Sequence, residues 1–167
     1  MFAKLDQVER PFCIWAARLH QRRFWGPWFQ FFSWVGNGPA WGILLSWCAW
    51  YSWDEIGQDL LVITAINLLL YRILKGKTVR RRPFVSIAQV SNGARALDEF
   101  SFPSGHTLHA VAITSALLLS MPGLAVCLMP VTAMIMLSRV VLGLHYPSDV
   151  MAGAALGLLV SGWVLGF

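Results

Sequence analysis

The sequence is short of charge. Asp, Glu, Lys and Arg make up 13% of its 167 residues, against roughly 25% in an ordinary soluble domain. One run, Phe100 to Ser138, contains none of these four residues. Apolar residues reach 57%, with nine Trp and ten Phe. This composition excludes an ordinary soluble globule and predicts an integral membrane protein with aromatic belts at the two lipid–water interfaces.

Cysteine is also scarce. The three cysteines, Cys13, Cys48 and Cys127, have no regular spacing. Cys48 and Cys127 fall in apolar segments, so we expect buried thiols rather than a disulfide framework or a redox centre. The N-terminal segment lacks an unbroken apolar core of signal-peptide length, so we expect no cleavable secretory signal.

The first 35 residues predict helical structure that lies along the membrane surface. Apolar residues recur at spacings of three and four with charged residues between them, namely Leu5, Val8, Phe12, Trp15 and Leu19. A basic, Trp-bearing amphipathic helix of this kind lies in the lipid interface. We expect Pro11 to break or bend it. A soluble surface helix is the alternative interpretation.

Apolar runs separated by polar breaks predict five spans in residues 36–167. The expected spans cover about 39–53, 56–74, 104–121, 123–141 and 150–167. Each is somewhat short against the roughly 20 residues that a helix needs to cross the hydrocarbon core. We therefore expect an all-α bundle of five to six transmembrane helices with an N-terminal amphipathic helix.

The whole chain, 1–167, is expected to form one domain, with an interfacial segment at 1–35 and a transmembrane catalytic core at 36–167. Small residues recur every four positions in the last span, at Gly153, Gly157 and Ser161. They predict a smooth helix face for close packing.

Polar clusters interrupt the apolar chain at three places, and the span count puts all three at one membrane face. The clustered residues combine cations, imidazoles and one carboxylate: Lys75, Lys77, Arg80, Arg81, Arg82, Ser104, His106, His109, Ser138, Arg139, His145 and Asp149. Cations beside a helix N-terminus form an oxyanion site. The sequence therefore predicts a phosphate site in the membrane interface.

Two histidines in these clusters are suited to different tasks. His145 and Asp149 are four residues apart across a Tyr-Pro-Ser sequence that favours a helix start. A carboxylate in that first turn can orient one nitrogen of His145 and leave the other free to attack. His106, at the start of another helix, can protonate a leaving oxygen. This arrangement indicates phosphoryl transfer without a metal.

Three motifs occur in order along the second half of the chain. KGKTVRRRP fits K-x6-R-P at residues 75–83, PSGH stands at 103–106, and SRVVLGLHYPSD fits S-R-x5-H-x3-D at 138–149. Together they resemble the tripartite signature of the type 2 phosphatidic acid phosphatase (PAP2) family of lipid phosphatases. The resemblance covers the chain from about Lys75 to the C-terminus.

The resemblance implies a role for each motif residue. The implied phosphate-binding residues are Lys75, Arg82, Ser104, Gly105 and Arg139. His145 would be the nucleophile that forms a phosphohistidine, Asp149 would orient it, and His106 would be the general acid. The implied reaction is hydrolysis of a membrane lipid phosphate or pyrophosphate, with no metal, no other cofactor and no nucleic acid. Membrane members of the family usually have six spans, whereas we count five plus an interfacial helix.

Other polar residues are expected to have lesser parts. Lys77, Arg80 and Arg81 would contact lipid headgroups, and Asp98 and Glu99 would balance the charge of the basic loop. His109 follows His106 by one helical turn and would be its polar neighbour. No thiolate or carboxylate cluster joins these two histidines, so no metal site is expected.

Two other functions share these features. A vanadium-dependent haloperoxidase would hold vanadate in place of phosphate, although the known members of that type are soluble. A non-catalytic lipid carrier or scramblase would retain a degenerate phosphate site. The intact pair of His145 and Asp149 argues against the carrier.

Two indications conflict on the side of the membrane. The resemblance implies a bacterial inner (cell) membrane with the site facing away from the cytoplasm. The five-span count puts every Lys and Arg on the face of the site, and the positive-inside rule would make that face cytoplasmic. We expect an extracytoplasmic site.

Overall fold

The computed structural model describes residues 2–52, 56–96 and 98–166. Within these ranges the chain forms eight helices and no strand, with a single antiparallel bridge between Arg81 and Phe100. The helices are α1 (Ala3–His20), α2 (Trp25–Val35), α3 (Gly38–Tyr51), α4 (Gln58–Lys77), α5 (Pro83–Ser86), α6 (Gly105–Ser120), α7 (Pro122–Val141) and α8 (Pro147–Leu165). The all-α prediction is confirmed.

Proline sets the start of four helices. It lies in the first turn of α3, α5, α7 and α8, where its fixed φ suits the helix and its missing N–H costs nothing. Pro11, by contrast, lies inside α1, which is helical on both sides of it. Of the predicted break or bend at Pro11, the break is therefore wrong, and α1 is one element that can connect distant parts of the fold.

The outer faces of the bundle are apolar. Among the described residues, α7 and α8 are long and apolar enough to cross a membrane, and α6 is apolar but shorter. Large apolar side chains are exposed on several helices, including Ile43, Trp50, Met151, Leu159 and Trp163. Surface of this kind is typical of a protein covered by lipid. These features indicate an integral membrane protein.

Cys127 lies on one of these outer faces. It is exposed on α7, whereas Cys13 and Cys48 are buried. The expectation of a buried thiol is therefore wrong for Cys127. An apolar sequence environment predicted burial, and in a membrane helix half of that environment is lipid.

The first helix turns its two faces to different surroundings. The predicted apolar stripe, with Val8 and Trp15, points outward. The opposite face buries Cys13 and Ala17 against Tyr146 and other apolar residues. This orientation keeps the large apolar side chains towards lipid and brings the polar residues of α1 next to the start of α8.

Helices α6 and α8 pack with their backbones in close contact at Gly153 and Gly157, which form a glycine seam between them. A Cβ added at Gly153 would stand 2.6 Å from the carbonyl oxygen of Ser104, and one at Gly157 would stand 2.7 Å from that of Leu108. Ser161 makes a hydrogen bond across the same seam. The prediction of a packing face on the last helix is confirmed, and this seam fixes where α8 begins relative to α6.

We predict that Gly157→Ala destabilises the protein by about 1–3 kcal/mol, because the added methyl group meets backbone that has no room to move. The midpoint of thermal unfolding in detergent measures the effect. Gly123→Ala is the matched control, since nothing lies within 4 Å of a Cβ at that helical position. Equal midpoints for the two variants would contradict the prediction.

Candidate active site

An extended segment after α4 turns two arginines inward. Successive side chains of an extended chain point to opposite sides. Arg80 and Arg82 accordingly are each 2% exposed, whereas Arg81 is exposed. The backbone N–H of Ser101 donates to the carbonyl of Arg80 (2.8 Å) and holds the segment in place. Two guanidinium groups are thus buried, and each needs anionic partners.

Asp98 is the shared partner of two predicted phosphate-binding cations. Its Oδ1 accepts hydrogen bonds from Lys75 Nζ (2.8 Å) and Arg82 Nη2 (2.6 Å). Tyr71 donates to its other oxygen. Burial acts to raise the pKa of Asp98, but the hydrogen bonds from Lys75 and Tyr71 and the nearby positive charges lower it to about 2. Asp98 therefore does more than balance a loop: it orders the cationic side of the site.

A turn after α7 places His145. Gly143 has a φ of +72°, which favours glycine, and the N–H of His145 donates to the carbonyl of Arg139 (3.0 Å). Arg82 Nη1 lies 3.3 Å from His145 Nε2. Because a guanidinium can only donate, this contact requires a lone pair on Nε2 and puts the ring proton on Nδ1.

His145 is 2% exposed. Burial first, and then the charges of Arg139, Arg82 and Lys75, hold the pKa of His145 well below its usual value. Both effects disfavour the charged imidazolium. The ring is therefore neutral at physiological pH, with the lone pair of Nε2 turned towards the cations.

Asp149 faces the other nitrogen of this ring without bonding to it. Its Oδ2 lies 3.8 Å from His145 Nδ1, which is longer than a hydrogen bond. The same oxygen accepts from the backbone N–H of Tyr146 (2.8 Å), and Oδ1 accepts from Arg80 Nη1 (2.5 Å). Within the described ranges, His145 Nδ1 has no hydrogen-bond partner. The carboxylate of Asp149 is thus placed beside the ring of His145 without a hydrogen bond to it.

The N-terminus of α6 lies beside these groups. Ser104 is fully buried, and its backbone N–H donates to the carbonyl of Asp149 (3.1 Å). Its side chain does not cap α6, so the first-turn N–H groups can face an anion. Gly105 has a steric requirement as well, because a Cβ there would stand 2.6 Å from the ring of Tyr71.

His106 is held by a residue from the α2–α3 connection. His106 Nε2 lies 2.8 Å from Asn37 Oδ1. Since that oxygen only accepts, the ring carries a proton on Nε2. The same ring packs on Gly36, where an added Cβ would stand 2.9 Å from His106 Cδ2. The Gly-Asn-Gly-Pro stretch that ends α2 therefore also positions a predicted catalytic residue.

A cavity opens next to His106. It has a volume of about 360 Å³ and lies between α3, α4 and α6, with Trp41, Leu45, Leu68 and Ile113 among its lining residues. His109 lines it too. Its walls are largely apolar and its polar end is at His106, so it suits a molecule with an apolar body and a reactive head.

Arg139 has a buried N–H donor, at Nε, that is available to a ligand. It is 2% exposed, and its Nη1 donates to Ser33 Oγ (2.5 Å). Its Nε is buried and has no partner among the residues that the structure describes. An unpaired buried guanidinium N–H is costly, and an oxyanion between Arg139 and Arg82 would satisfy it.

The structure gathers the eight predicted site residues at one end of the bundle and leaves three other clustered residues out. Lys77 and Arg81 are exposed, and Ser138 donates to the carbonyl of Ile135 in its own helix. The expected headgroup role is wrong for Arg80, which is buried among carboxylates. In the described ranges, no group of three or more His, Cys, Asp or Glu could hold a metal ion.

Sequence reasoning missed Ser33 and Asn37, which contact the site. It named Arg80 and Asp98 but gave them other roles than the contacts they make with the site. For Arg80 a signal was present, because alternation in an extended segment puts it on the same side as Arg82. Asn37 stands in a stretch that reads only as a helix break. Ser33 has no local signal at all.

A model of the PAP2 superfamily matches residues 57–167. The chain belongs to the PAP2 superfamily. Among curated relatives, it is 36% identical to a lipid A 1-phosphatase of Rhizobium etli, over 67% of this chain and 47% of that protein. It is 37% identical to a decaprenylphosphoryl-5-phosphoribose phosphatase of Mycobacterium tuberculosis, over 65% of this chain and 56% of that one. The chain thus spans about half the length of these relatives.

A solved structure has the same fold. The transmembrane PAP2 type phosphatidylglycerolphosphate phosphatase of Bacillus subtilis superposes with a TM-score of 0.79, covering 98% of this chain and 86% of that one. The sequence identity is 24%, so the likeness establishes the arrangement of helices. The fold therefore extends to the N-terminal helices that precede the matched family segment.

We predict that Asp98→Asn lowers stability at pH 7 by about 2 kcal/mol, the equivalent of its pKa shift from 3.8 to about 2. The depressed pKa means that this stability is present above pH 4 and is lost as the pH falls towards 2. Thermal unfolding in detergent from pH 7 to pH 2.5 should show the gap to the wild type closing. Glu99→Gln, at the exposed neighbour, is the control. A gap that does not change with pH would refute the assignment.

Proposed function

We propose that this protein is an integral membrane phosphatase that hydrolyses a lipid phosphate or pyrophosphate through a phosphohistidine at His145, without a metal. The observation that carries the proposal is the buried Nε of Arg139, which has no partner in the described part of the chain, near a neutral His145. An anion would be the partner that Arg139 Nε lacks, and the neutral imidazole of His145 would attack an electrophile such as phosphorus.

The phosphate would bind between three cations and a helix terminus. Lys75, Arg82 and Arg139 would supply charge, and the side chain of Ser104 and the backbone of Gly105 would complete the cradle. Asp98 holds Lys75 and Arg82 in their orientations. The cations would then be in place before the phosphate arrives, which lowers the reorganisation needed in the transition state.

The chemistry would proceed in two displacements. His145 Nε2 attacks phosphorus and forms the N–P bond while the bond to the leaving oxygen breaks. His106, protonated on Nδ1 as well as on the Nε2 that Asn37 holds, gives its Nδ1 proton to that oxygen and is left as a neutral ring. The Nδ1 proton of His145 stays on the ring, where the charge of Asp149 stabilises the phosphoimidazolium. A water molecule, deprotonated by His106, then attacks phosphorus and releases inorganic phosphate from His145.

The cavity beside His106 supports a lipid substrate. It would take the apolar part of the leaving group while the phosphate lies at the cations. A polyprenyl pyrophosphate, phosphatidylglycerol phosphate, phosphatidic acid or a phosphorylated glycolipid each combines such a part with a terminal phosphate. The names of the relatives, with lipid A and a decaprenyl lipid, point to the same class.

In the proposed membrane arrangement, α3, α4, α6, α7 and α8 span the bilayer and α1 and α2 lie at the interface on the side of the site. The chain would act as one domain, 1–167, in a bacterial inner membrane with an extracytoplasmic site. The exposed apolar faces of the spanning helices support this arrangement, as do the site residues at the ends of α4 and α7 and at the starts of α6 and α8.

We predict that His145→Ala lowers phosphate release by about three orders of magnitude or more, because it removes the attacking nitrogen. The assay uses purified protein in detergent with a panel of lipid monophosphates and a polyprenyl pyrophosphate. Acid-labile label from a radioactive phosphate donor should appear on the wild type and not on the variant. An unchanged unfolding midpoint shows that the variant is folded. Retained turnover would exclude the mechanism, and a wild type inactive on the whole panel would favour a carrier.

The sidedness is tested with single introduced cysteines in a Cys127→Ser background, since Cys127 is the exposed native thiol. Val79→Cys reports the face of the site, where Val79 is 72% exposed. Gly123→Cys reports the opposite face. We expect an impermeant thiol reagent to label the first and spare the second in intact cells. The reverse pattern would place the site in the cytoplasm.

A further inference from the structure

Arg80 is the most heavily bonded side chain near the site, and the proposed reaction does not use it. Its side chain is 1% exposed, and it lies between two aromatic rings. The guanidinium carbon stands 4.0 Å from the ring centre of Tyr146 and 4.8 Å from that of Phe2. A buried arginine held between two rings has a single orientation, and its planar guanidinium can donate hydrogen bonds on two sides at once.

In one direction Arg80 reaches α1. Its Nε and Nη2 donate to Asp6 Oδ1 (2.9 and 2.6 Å), and Nη2 also donates to Glu9 Oε2 (2.7 Å). Both carboxylates belong to the polar side of an amphipathic helix that precedes the matched family segment. The N-terminal helix is thus connected by charge to the loop that carries Arg82.

In the other direction Arg80 reaches the start of α8. Its Nη1 donates to Ser148 Oγ (2.7 Å) and to Asp149 Oδ1 (2.5 Å). Glu9 also joins α1 directly to α8. Its Oε1 accepts from the backbone N–H of Ser148 (2.6 Å), and its Oε2 accepts from the Ser148 hydroxyl (2.8 Å). A carboxylate from α1 therefore caps α8 at the end where negative charge is favourable.

We propose that Arg80 is a positioning residue for the reaction at His145: it fixes the carboxylate of Asp149 beside the imidazole and anchors both to α1. The inference rests on the proposed function. Arg80 occupies Oδ1 of Asp149 and leaves Oδ2 facing Nδ1 at 3.8 Å. It also neutralises part of the charge that Asp149 presents to the ring.

A positioning role for Arg80 predicts a change in the protonation of His145, which a merely structural role does not. The charged groups around His145 are Asp149 from α8, Arg139 from α7, Lys75 from α4 and Arg82 from the segment before α5. His106 from α6 is a titratable neighbour of the ring. Asp149 is the anion of this set, and its charge would favour protonation of the ring, as the backbone of Ser101 also does. Without Arg80, the full charge of the Asp149 carboxylate would act on His145. The imidazole would then bind a proton at higher pH, and fewer molecules would carry a free nucleophile.

The test compares Arg80→Gln, Arg80→Lys and Arg81→Gln with the wild type in detergent. Arg81→Gln removes the same charge from the next, exposed residue and should leave kcat and KM within twofold. We expect Arg80→Gln to lower kcat tenfold or more with KM changed less than threefold, because Arg80 does not touch the phosphate. The acid limb of its kcat/KM profile should move to higher pH. Lysine keeps the positive charge but lacks the planar guanidinium with its several donors, so we expect Arg80→Lys to lower kcat a few-fold.

A second measurement separates this inference from the proposed function. The chain has four histidines, so nitrogen NMR of labelled protein can follow the titration of His145 without any substrate, assigned with His145→Gln. We expect its midpoint to rise in Arg80→Gln and to stay unchanged in Arg81→Gln. If the wild type releases no phosphate but the midpoint rises, the proposed function fails and the contact from Arg80 through Asp149 to His145 stands.

The remaining outcomes overturn the inference. A loss of activity in Arg80→Gln with an unmoved titration would show a merely structural role, and so would a rise in KM at constant kcat. If Arg80→Gln does not fold, Arg80→Lys decides: wild-type kcat and an unmoved titration in that variant would exclude positioning by the guanidinium fork.

Discussion

Buried positive charge is the constraint on which this site depends. Arg80, Arg82 and Arg139 are each 2% exposed, and Lys75 is 9% exposed. Cations so placed are stable only with anionic or hydrogen-bonding partners. Three carboxylates and Ser148 accept from Arg80, and Asp98 accepts from Lys75 and Arg82. Among the described residues, Arg139 has only the hydroxyl of Ser33 as a hydrogen-bond partner. The uncompensated charge is thus concentrated at one point, next to His145, which is where the proposed phosphate would bind.

Much of the fold was predictable because it depends on local patterns. A proline marked the start of α8, apolar runs marked the long helices, and glycine spacing predicted the packing face of α8. The three motifs identified the eight residues that the structure gathers at one end. The partners of those residues were not predictable, since Ser33 meets Arg139 across 106 positions and Asn37 meets His106 across 69. Contacts of that range depend on how the helices pack, and no local periodicity encodes them.

The first third of the chain is part of the site. The matched family segment begins at residue 57, yet Ser33, Asn37 and Glu9 all lie before it. They contact, in turn, Arg139, His106 and the first turn of α8. α1 and α2 therefore contribute directly to the site, since each one brings a polar side chain to a segment that carries a family motif.

The glycine seam between α6 and α8 also fixes the distance between two motifs of the site. Ser104 belongs to one motif and Asp149 to another, and the chain between them travels down α6 and back along α7. Their separation would be sensitive to every bend in those helices if α8 could slide on α6. Because Gly153 lets the backbones touch beside Ser104, the two motifs keep a fixed register, and the width of the site is set by backbone contact rather than by side chains that can change rotamer.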